Sequence, residues 1–335
     1  MDLPVWPHDE SPFHTGERLA QQRAGKAAQL QAVGRRLVRA EMPEQHRLFY
    51  AQLPFLVVGG LDRSGWPAAS LLTGAPGFAH APGPRQLRID AIPSPDDPLA
   101  DAFGVGADIG LLGIELPTRR RNRMNGMVSA RDTQGMTVDV RQSFGNCPRY
   151  IQQRVLFDAS PADAFRDAAP ATMSATLDAD DAALIGHADT IFIASFHQDA
   201  DRPHTGGADV SHRGGNPGFV RVEGDSVLLL PDFNGNAYFN TIGNLLENPR
   251  AGLVIPDFDT GTLLHVAVRA QVLWDGPQVR AYAGAERVVR MEVRQVVRRP
   301  VALPLRAALT DMSPVLADTG PWRPSRDEPS SSVIA

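Results

Sequence analysis

The sequence predicts a mainly β chain with flanking helices, an α+β fold in which two related β-barrels follow one another. Three observations carry this. Residues 70–78, SLLTGAPGF, and residues 211–219, SHRGGNPGF, share one frame: Ser, then Gly four positions on, then Pro-Gly-Phe at offsets six to eight. The same offset of 141 lays Leu228 on Leu87, placing SVLLL over RQLRI, and the Gly-Leu pairs starting at Gly110 and Gly252 repeat at 142. Between these anchors run short β-type segments separated by turn residues. Two copies are too few for a solenoid, so the self-match reads as an internal pseudo-dimer of two barrels.

The elements follow in order. At 335 residues the length suggests about two domains. Residues 1–53 form an N-terminal helical segment: GERLAQQRAGKAAQLQAVGRRLV, a break at Pro43, then EQHRLFYAQL. The first barrel takes 54–157, with strands in FLVVGG, WPAASLL, RQLRIDAI, IGLLGIEL, RNRMNGMVSA and GMTVDVRQSF. Residues 158–185, rich in Ala, Asp and Pro, form a linker or short helical bridge. The second barrel takes 186–300, with strands in TIFIASF, ADVSH, GFVRV, SVLLLPDF, AGLVIPDF and LLHVAVRAQVLW. Residues 301–335 are a C-terminal segment whose end, PWRPSRDEPSSSVIA, has the composition of a disordered tail. Each copy thus reads strand, Gly-Pro loop, strand, short helix, strand, strand.

Composition removes several function classes. Net charge is −5, so no overall positive field draws the chain to nucleic acid or an anionic membrane. No apolar run approaches the roughly 20 residues that span a bilayer. The acidic, proline-broken start MDLPVWPHDE is unlike a signal peptide. Cys147 is the single cysteine, which excludes an internal disulfide framework and fits a reducing compartment; the expected location is the cytoplasm. Of 33 basic residues only Lys26 is lysine, so a P-loop is absent and a Schiff base to pyridoxal phosphate would have to use Lys26. An anion is therefore held by Arg, by backbone amides or by small polar side chains.

The copies differ where a ligand would bind. In the second, a helix starts near Asn240-Thr241, carries Ile242, Leu245 and Leu246 on one stripe, and stops at Asn248-Pro249. Upstream, Asn234-Gly235-Asn236 presents backbone N–H groups. A loop feeding a helix N-terminus suits a phosphate, and Arg213 at a strand end is placed to close on it. In the first copy His212-Arg213 becomes Leu71-Leu72, and Asp96 and Asp97 fall at the helix start, where two carboxylates satisfy the dipole and repel phosphate. Each feature alone has an ordinary reading as a cap, a turn or a solvated charge. Their coincidence in one copy, and loss in the other, favours a binding site.

These residues carry a resemblance. SHRGGNPGF, LLLPDFNGNAYFNTIGNLLENPRAGLVI and DFDTGTLLHV resemble the pyridoxamine 5′-phosphate oxidase-like, FMN-binding split-barrel superfamily, over most of residues 11–275. IGLLGIELPTRRRNRMNG and FGNCPRYIQQR resemble uncharacterised two-barrel relatives, some joined to reductase modules. The resemblance implies two tandem FMN-binding split barrels with flavin at their interface. It implies that Ser211, His212 and Arg213 lie near the phosphate or ribityl chain, with Pro231, Asp232, Asn236, Asn240 and Thr241 completing the pocket. The oxidase's phosphate lysine has no counterpart, because Lys26 lies outside the barrel; vitamin B6 oxidation is therefore unsupported.

Other features stay open. On a strand, Arg119, Arg121 and Arg123 share one face with Asn125. That face is either solvated, or borders the other barrel's flavin, an acidic substrate or a nicotinamide phosphate. Cys147 beside Pro148 reads as a small buried residue. His197, His204 and His212 do not have a metal-ligand spacing, although one histidine suffices for haem, the alternative cofactor. No catalytic acid/base pair is identifiable. The reading is an FMN-dependent oxidoreductase acting on a small-molecule substrate, with NAD(P)H or a reductase partner as electron donor, as a monomeric pseudo-dimer or a homodimer. Its rivals are a non-catalytic FMN or haem store or sensor, and a structural pseudo-dimer without cofactor.

Overall fold

The computed structural model describes residues 6–159, 169–198 and 204–323. The expected tail from residue 324 onward and the middle of the expected linker, 160–168, lie outside the described residues. The chain is mainly β with few helices. No helix among the described residues is long and apolar enough to cross a membrane.

Three helices come first: α1 (Thr15–Arg23), α2 (Ala27–Leu37) and α3 (Glu44–Ala51). α1 starts with a capping box in which the His14 ring accepts from Gly16 N while Glu17 Oε2 accepts from His14 N at 2.9 Å. Gly25 (φ +67°) breaks α1 from α2, and Pro43 precedes α3.

The first sheet contains β1 (Phe55–Leu61), β2 (Pro67–Thr73), β3 (Ala79–Gly83), β4 (Gln86–Ile89), β5 (Asp108–Glu115), β6 (Arg120–Arg131) and β7 (Met136–Gly145). Its order is β2-β1-β5-β6-β7-β4-β3. After β8 (Gln153–Asp158), β9 (Thr172–Ser174) and α4 (Ala179–His187) comes a second series. It comprises β10 (Thr190–His197), β11 (Gly207–Gly214), β12 (Arg221–Glu223), β13 (Val227–Phe233), α5 (Asn240–Glu247), β14 (Arg250–Pro256), β15 (Leu263–Leu273), α6 (Pro277–Arg280) and β16 (Ala285–Arg299). The second sheet runs β11-β10-β14-β15-β16-β13-β12, so β10 to β16 follow β1 to β7 one for one.

The twice-written frame has one structural meaning. In each copy the Ser lies on the second strand, and the Phe nitrogen closes a turn on the residue three back, Ala75 or Asn216, at 2.9 Å. The first Gly lies under that Phe ring with no room for a Cβ, and the Gly after Pro has positive φ.

Each sheet covers its own apolar core, and a third cluster joins them through Phe55, Val57, Leu112, Phe192, Val210 and Val254. The join is reciprocal. A Cβ on Gly110 of β5 would meet Asp209 Cα of β11 at 2.8 Å, and one on Gly252 of β14 would overlap the Pro67 carbonyl oxygen of β2. The Gly-Leu pairs repeat in sequence because the two backbones touch at both places.

Two expectations need correction, those for residues 95–102 and for Arg119, and two segments hold elements beyond those expected. Residues 95–102 are turns, not a helix: Pro93, Pro95 and Pro98 restrict the residues before them, and Asp97 Oδ1 accepts from Leu99 N at 2.8 Å. The expected linker holds β9, which pairs with β16, and the start of α4, which runs past residue 185 to His187. The C-terminal segment contains β17 (Leu305–Asp311), paired with β8 in a two-stranded sheet. Arg119 does not share a face with Arg121: it is left-handed (φ 56°) and turns away to bond Ile151 O and Asp311.

Candidate functional site

A cavity of about 390 Å³ opens between the sheets, the α1–α2 turn and the start of α5. Ser211, His212, Arg213, Pro231, Asp232, Asn236, Asn240 and Thr241 all border it, as do Arg121 and Arg123. Asn125 is not among its lining residues; it donates to Asp209 Oδ1 at 3.2 Å.

Strand register sets which side chain points where. Ser211, His212 and Arg213 pair with Ile193, Phe192 and Ile191, so Ser211 and Arg213 share one face while His212 takes the other, against Phe192. The loop after β13 is pinned by the first half of the chain: Asn236 Nδ2 donates to Asn146 Oδ1 at 2.8 Å, and Tyr150 OH to Asn234 O at 3.0 Å. Ala237 and Phe239 are left-handed, and α5 begins with no side-chain cap. Its first N–H groups are therefore left to another partner.

Three charged groups form the wall. Arg123, 4 % exposed, reaches from β6 to Asp209, to Ser211 Oγ and to Asn240 Oδ1 at 2.7 Å. Thr241 Oγ1 donates to Ser211 Oγ at 2.8 Å, and Asn240 Nδ2 to Glu17. Burial pushes the Glu17 carboxyl up to about 8, so it is largely protonated at neutral pH. Asp232 accepts from Arg213 and, at 2.8 Å, from Arg287 Nε; Arg287 also reaches Glu286 at 2.7 Å. Arg121 donates to Cys147 O at 2.8 Å and to His212 Nδ1 at 3.0 Å. Because arginine only donates, His212 Nδ1 is an acceptor and the ring proton sits on Nε2, which has no hydrogen-bond partner. Burial first, then Arg121, Arg213 and Arg154, hold this ring neutral far below its usual titration.

The equivalent place in the first half is closed. Ser70 donates to Asp97, and Arg299 reaches Asp97 at 2.6 Å, Asp96 at 3.0 Å and Ser94. Asp96 and Asp97 thus hold an internal guanidinium rather than a helix dipole. Hydrogen bonds to Arg299 draw Asp96 down to about 2. By register, Asn146 is the counterpart of Arg299, two residues beyond Phe144 as Arg299 is beyond Val297.

Sequence reasoning missed part of the lining. Lys26 lies outside the sheets, as expected, yet the α1–α2 turn brings it to the cavity with Gln29 and Leu30. Arg149, Tyr150, Glu286 and Arg287 also line it. His197 and His204 lie apart from the cavity lining, stacked on His14 and His8. Among the described residues no cluster of His, Cys, Asp and Glu suits a metal ion.

No family model matches the chain, and no curated protein matches it. Solved structures that align with it include HupZ of Group A Streptococcus, 12% identical, TM-score 0.29, covering 41% of this chain and 98% of that one. A candidate pyridoxamine 5′-phosphate oxidase of Lactobacillus delbrueckii is 21% identical, TM-score 0.28, covering 36% and 93%. An FMN-binding protein of Syntrophomonas wolfei is 14% identical, TM-score 0.26, covering 36% and 84%. At these TM-scores the overlaps carry no argument about this chain.

Proposed function

We propose that the cavity binds FMN and that the chain is a flavin-dependent oxidoreductase. On this reading residues 54–157 and 186–300 are two split barrels, of which only the second keeps a site. One observation carries it: the uncapped start of α5 and the Arg213 side chain border one cavity.

The residues present fit such a group. Helix N–H groups without a cap, and the buried Arg213 Nε without a partner, call for an anion. A volume near 390 Å³ falls within the roughly 300–1,000 Å³ of small-molecule sites. Arg213 and the first turn of α5 would hold the phosphate, with the Ser211 and Thr241 hydroxyls beside it. Asn236, tied to Asn146, fixes the loop that shapes this end. Tyr150 and Phe233, with ring centroids 5.0 Å apart, give a half-buried aromatic wall. Bound flavin supplies hydride or electron transfer, and the protein sets its position and surroundings. The electron donor, NAD(P)H or a reductase partner, belongs to the same proposal.

Haem ligation by His212 is disfavoured. An Nε2 lone pair for iron would require a proton on Nδ1, where Arg121 already donates. The test is a spectrum of the purified chain followed by titration with FMN and riboflavin. Absorbance near 450 nm, a general flavin property, with FMN bound more tightly than riboflavin, is expected. A Soret band, or no affinity for either flavin, overturns the reading.

A further inference from the structure

We infer that the cavity takes a second anion, a carboxylate or phosphate borne by the substrate, and that Arg121 pairs with it. This deepens the FMN reading and rests on it for the word substrate; the anion site itself does not.

The buried and half-buried charges around the cavity sort into groups that close, and one that does not; Lys26 and Arg149 also line it but are exposed to solvent. Arg213 and Arg287 share Asp232, with Glu286 on Arg287, and Arg123 is paired with Asp209. Arg121 has only the Cys147 carbonyl and a neutral His212 ring as acceptors, and among the described residues no carboxylate pairs with it. Two acceptors leave most of its five N–H donors for something else. A partly buried cation without a counter-charge is costly, and burial with Arg123 and Arg213 nearby brings it down to about 9. An oxyanion removes that cost, and a carboxylate or phosphate matches the guanidinium fork.

Folding does not require a cation at this position. Arg121 pairs with Ile114 across β5 and β6; the same register across β14 and β15 pairs Pro256 with Leu263. Leu263, from the second sheet, therefore takes the place of Arg121 in the pseudo-symmetric arrangement around the closed site, just as Leu71 stands where His212 stands. The guanidinium and its neutral partner ring occur together only where there is a cavity. Arg121 also belongs to a different wall from the proposed phosphate grip: it comes from β6, whereas Arg213 and α5 come from the second sheet and its helix.

The test uses the full chain with benzoate and benzamide as probes, the same ring with and without the charge, at fixed ionic strength. Thermal unfolding read without flavin should show stabilisation by benzoate alone, lost in Arg121→Gln. With FMN present, benzoate should still bind, and Arg121→Gln should weaken it by roughly ten- to hundredfold. Should that variant not fold, phenylglyoxal labelling of the wild-type chain, mapped by peptide mass spectrometry, should show benzoate protecting Arg121 and sparing Arg149 from protection. Equal responses to both probes, or benzoate binding unchanged in Arg121→Gln, overturn the assignment. So does benzoate that competes with FMN but not with riboflavin, because the anion is then the cofactor's own phosphate. Absence of flavin binding with benzoate binding intact would overturn the FMN reading and its substrate, and leave the anion site standing.

Discussion

Ser70 and Ser211 occupy one register position in two sheets, opposite Val58 and Ile193, yet Ser70 donates to Asp97 whereas Ser211 accepts from Arg123. One serine serves a buried carboxylate and the other a buried guanidinium. In the first case the cation that completes the group is Arg299, from the last strand of the opposite sheet.

Arg299→Leu should therefore destabilise the chain without creating a second site. Removing one partner of a buried pair leaves Asp97, 6 % exposed, uncompensated, a loss of about 3–5 kcal/mol. Urea unfolding measures it, and a loss near zero would contradict the role given to Arg299.

Binding should saturate at one FMN per chain. Equilibrium dialysis against excess FMN, then desalting and absorbance, gives the ratio. Two per chain would mean that the Arg299 closure opens.

Arg213→Leu, which installs the first copy's own residue, should weaken FMN by roughly ten- to hundredfold, as expected for one charge-assisted hydrogen bond. Riboflavin should lose little. Folding should survive, since Asp232 keeps Arg287. An equal loss for both ligands would assign Arg213 to pocket shape instead of phosphate.

The parts of the site legible in the sequence are those whose signal is local. The stop of α5 at Asn248-Pro249 is written in adjacent residues, and its start falls at Asn240 as read, although Asn240 does not cap it and bonds Arg123 and Glu17 instead. The Ser211 frame repeats because its turn is short-range. What was hidden depends on distant packing. The strand β16, AERVVRMEVRQVVRR, is hard to read locally, because its arginines at 287, 290, 294 and 298 fall at spacings that also suit a helix. With it went Arg287 and Arg299. Nothing local to Lys26 or Glu17 says that α1 lies against α5. The prolines before residue 99 carried a signal against the first-copy helix that the repeat pattern overrode.

Gly252→Val should force the sheets apart where β14 meets the Pro67 carbonyl. Because a backbone atom and not a flexible side chain is in the way, the loss should exceed the common 0.5–3 kcal/mol of point substitutions. Gly65→Ala, in the open β1–β2 turn but at positive φ (75°), gives the comparison for backbone strain alone. Equal losses in denaturant midpoints would contradict the close approach.

Glu17 predicts a pH dependence of known sign. Its folded value of about 8 lies above the ordinary 4.5, so the native chain holds a proton that the unfolded chain has released within that window. Stability from this group therefore falls as pH rises from about 4.5 to 8. Glu17→Gln should flatten that slope relative to wild type in urea midpoints at several pH values. An unchanged slope would place the carboxyl's titration elsewhere.

The cavity is walled by Arg121 and Tyr150 from one half of the chain and by Ser211 and Asp232 from the other. Where two separate subunits face each other in this way, dilution parts the walls and empties the site. Here a covalent connection sets the local concentration of each wall at the other, independent of how much protein is present. Affinity measured at nanomolar and at micromolar chain should agree. A symmetric pair must also change both its sites with every substitution, whereas one chain can turn a position to leucine in one half and keep arginine in the other.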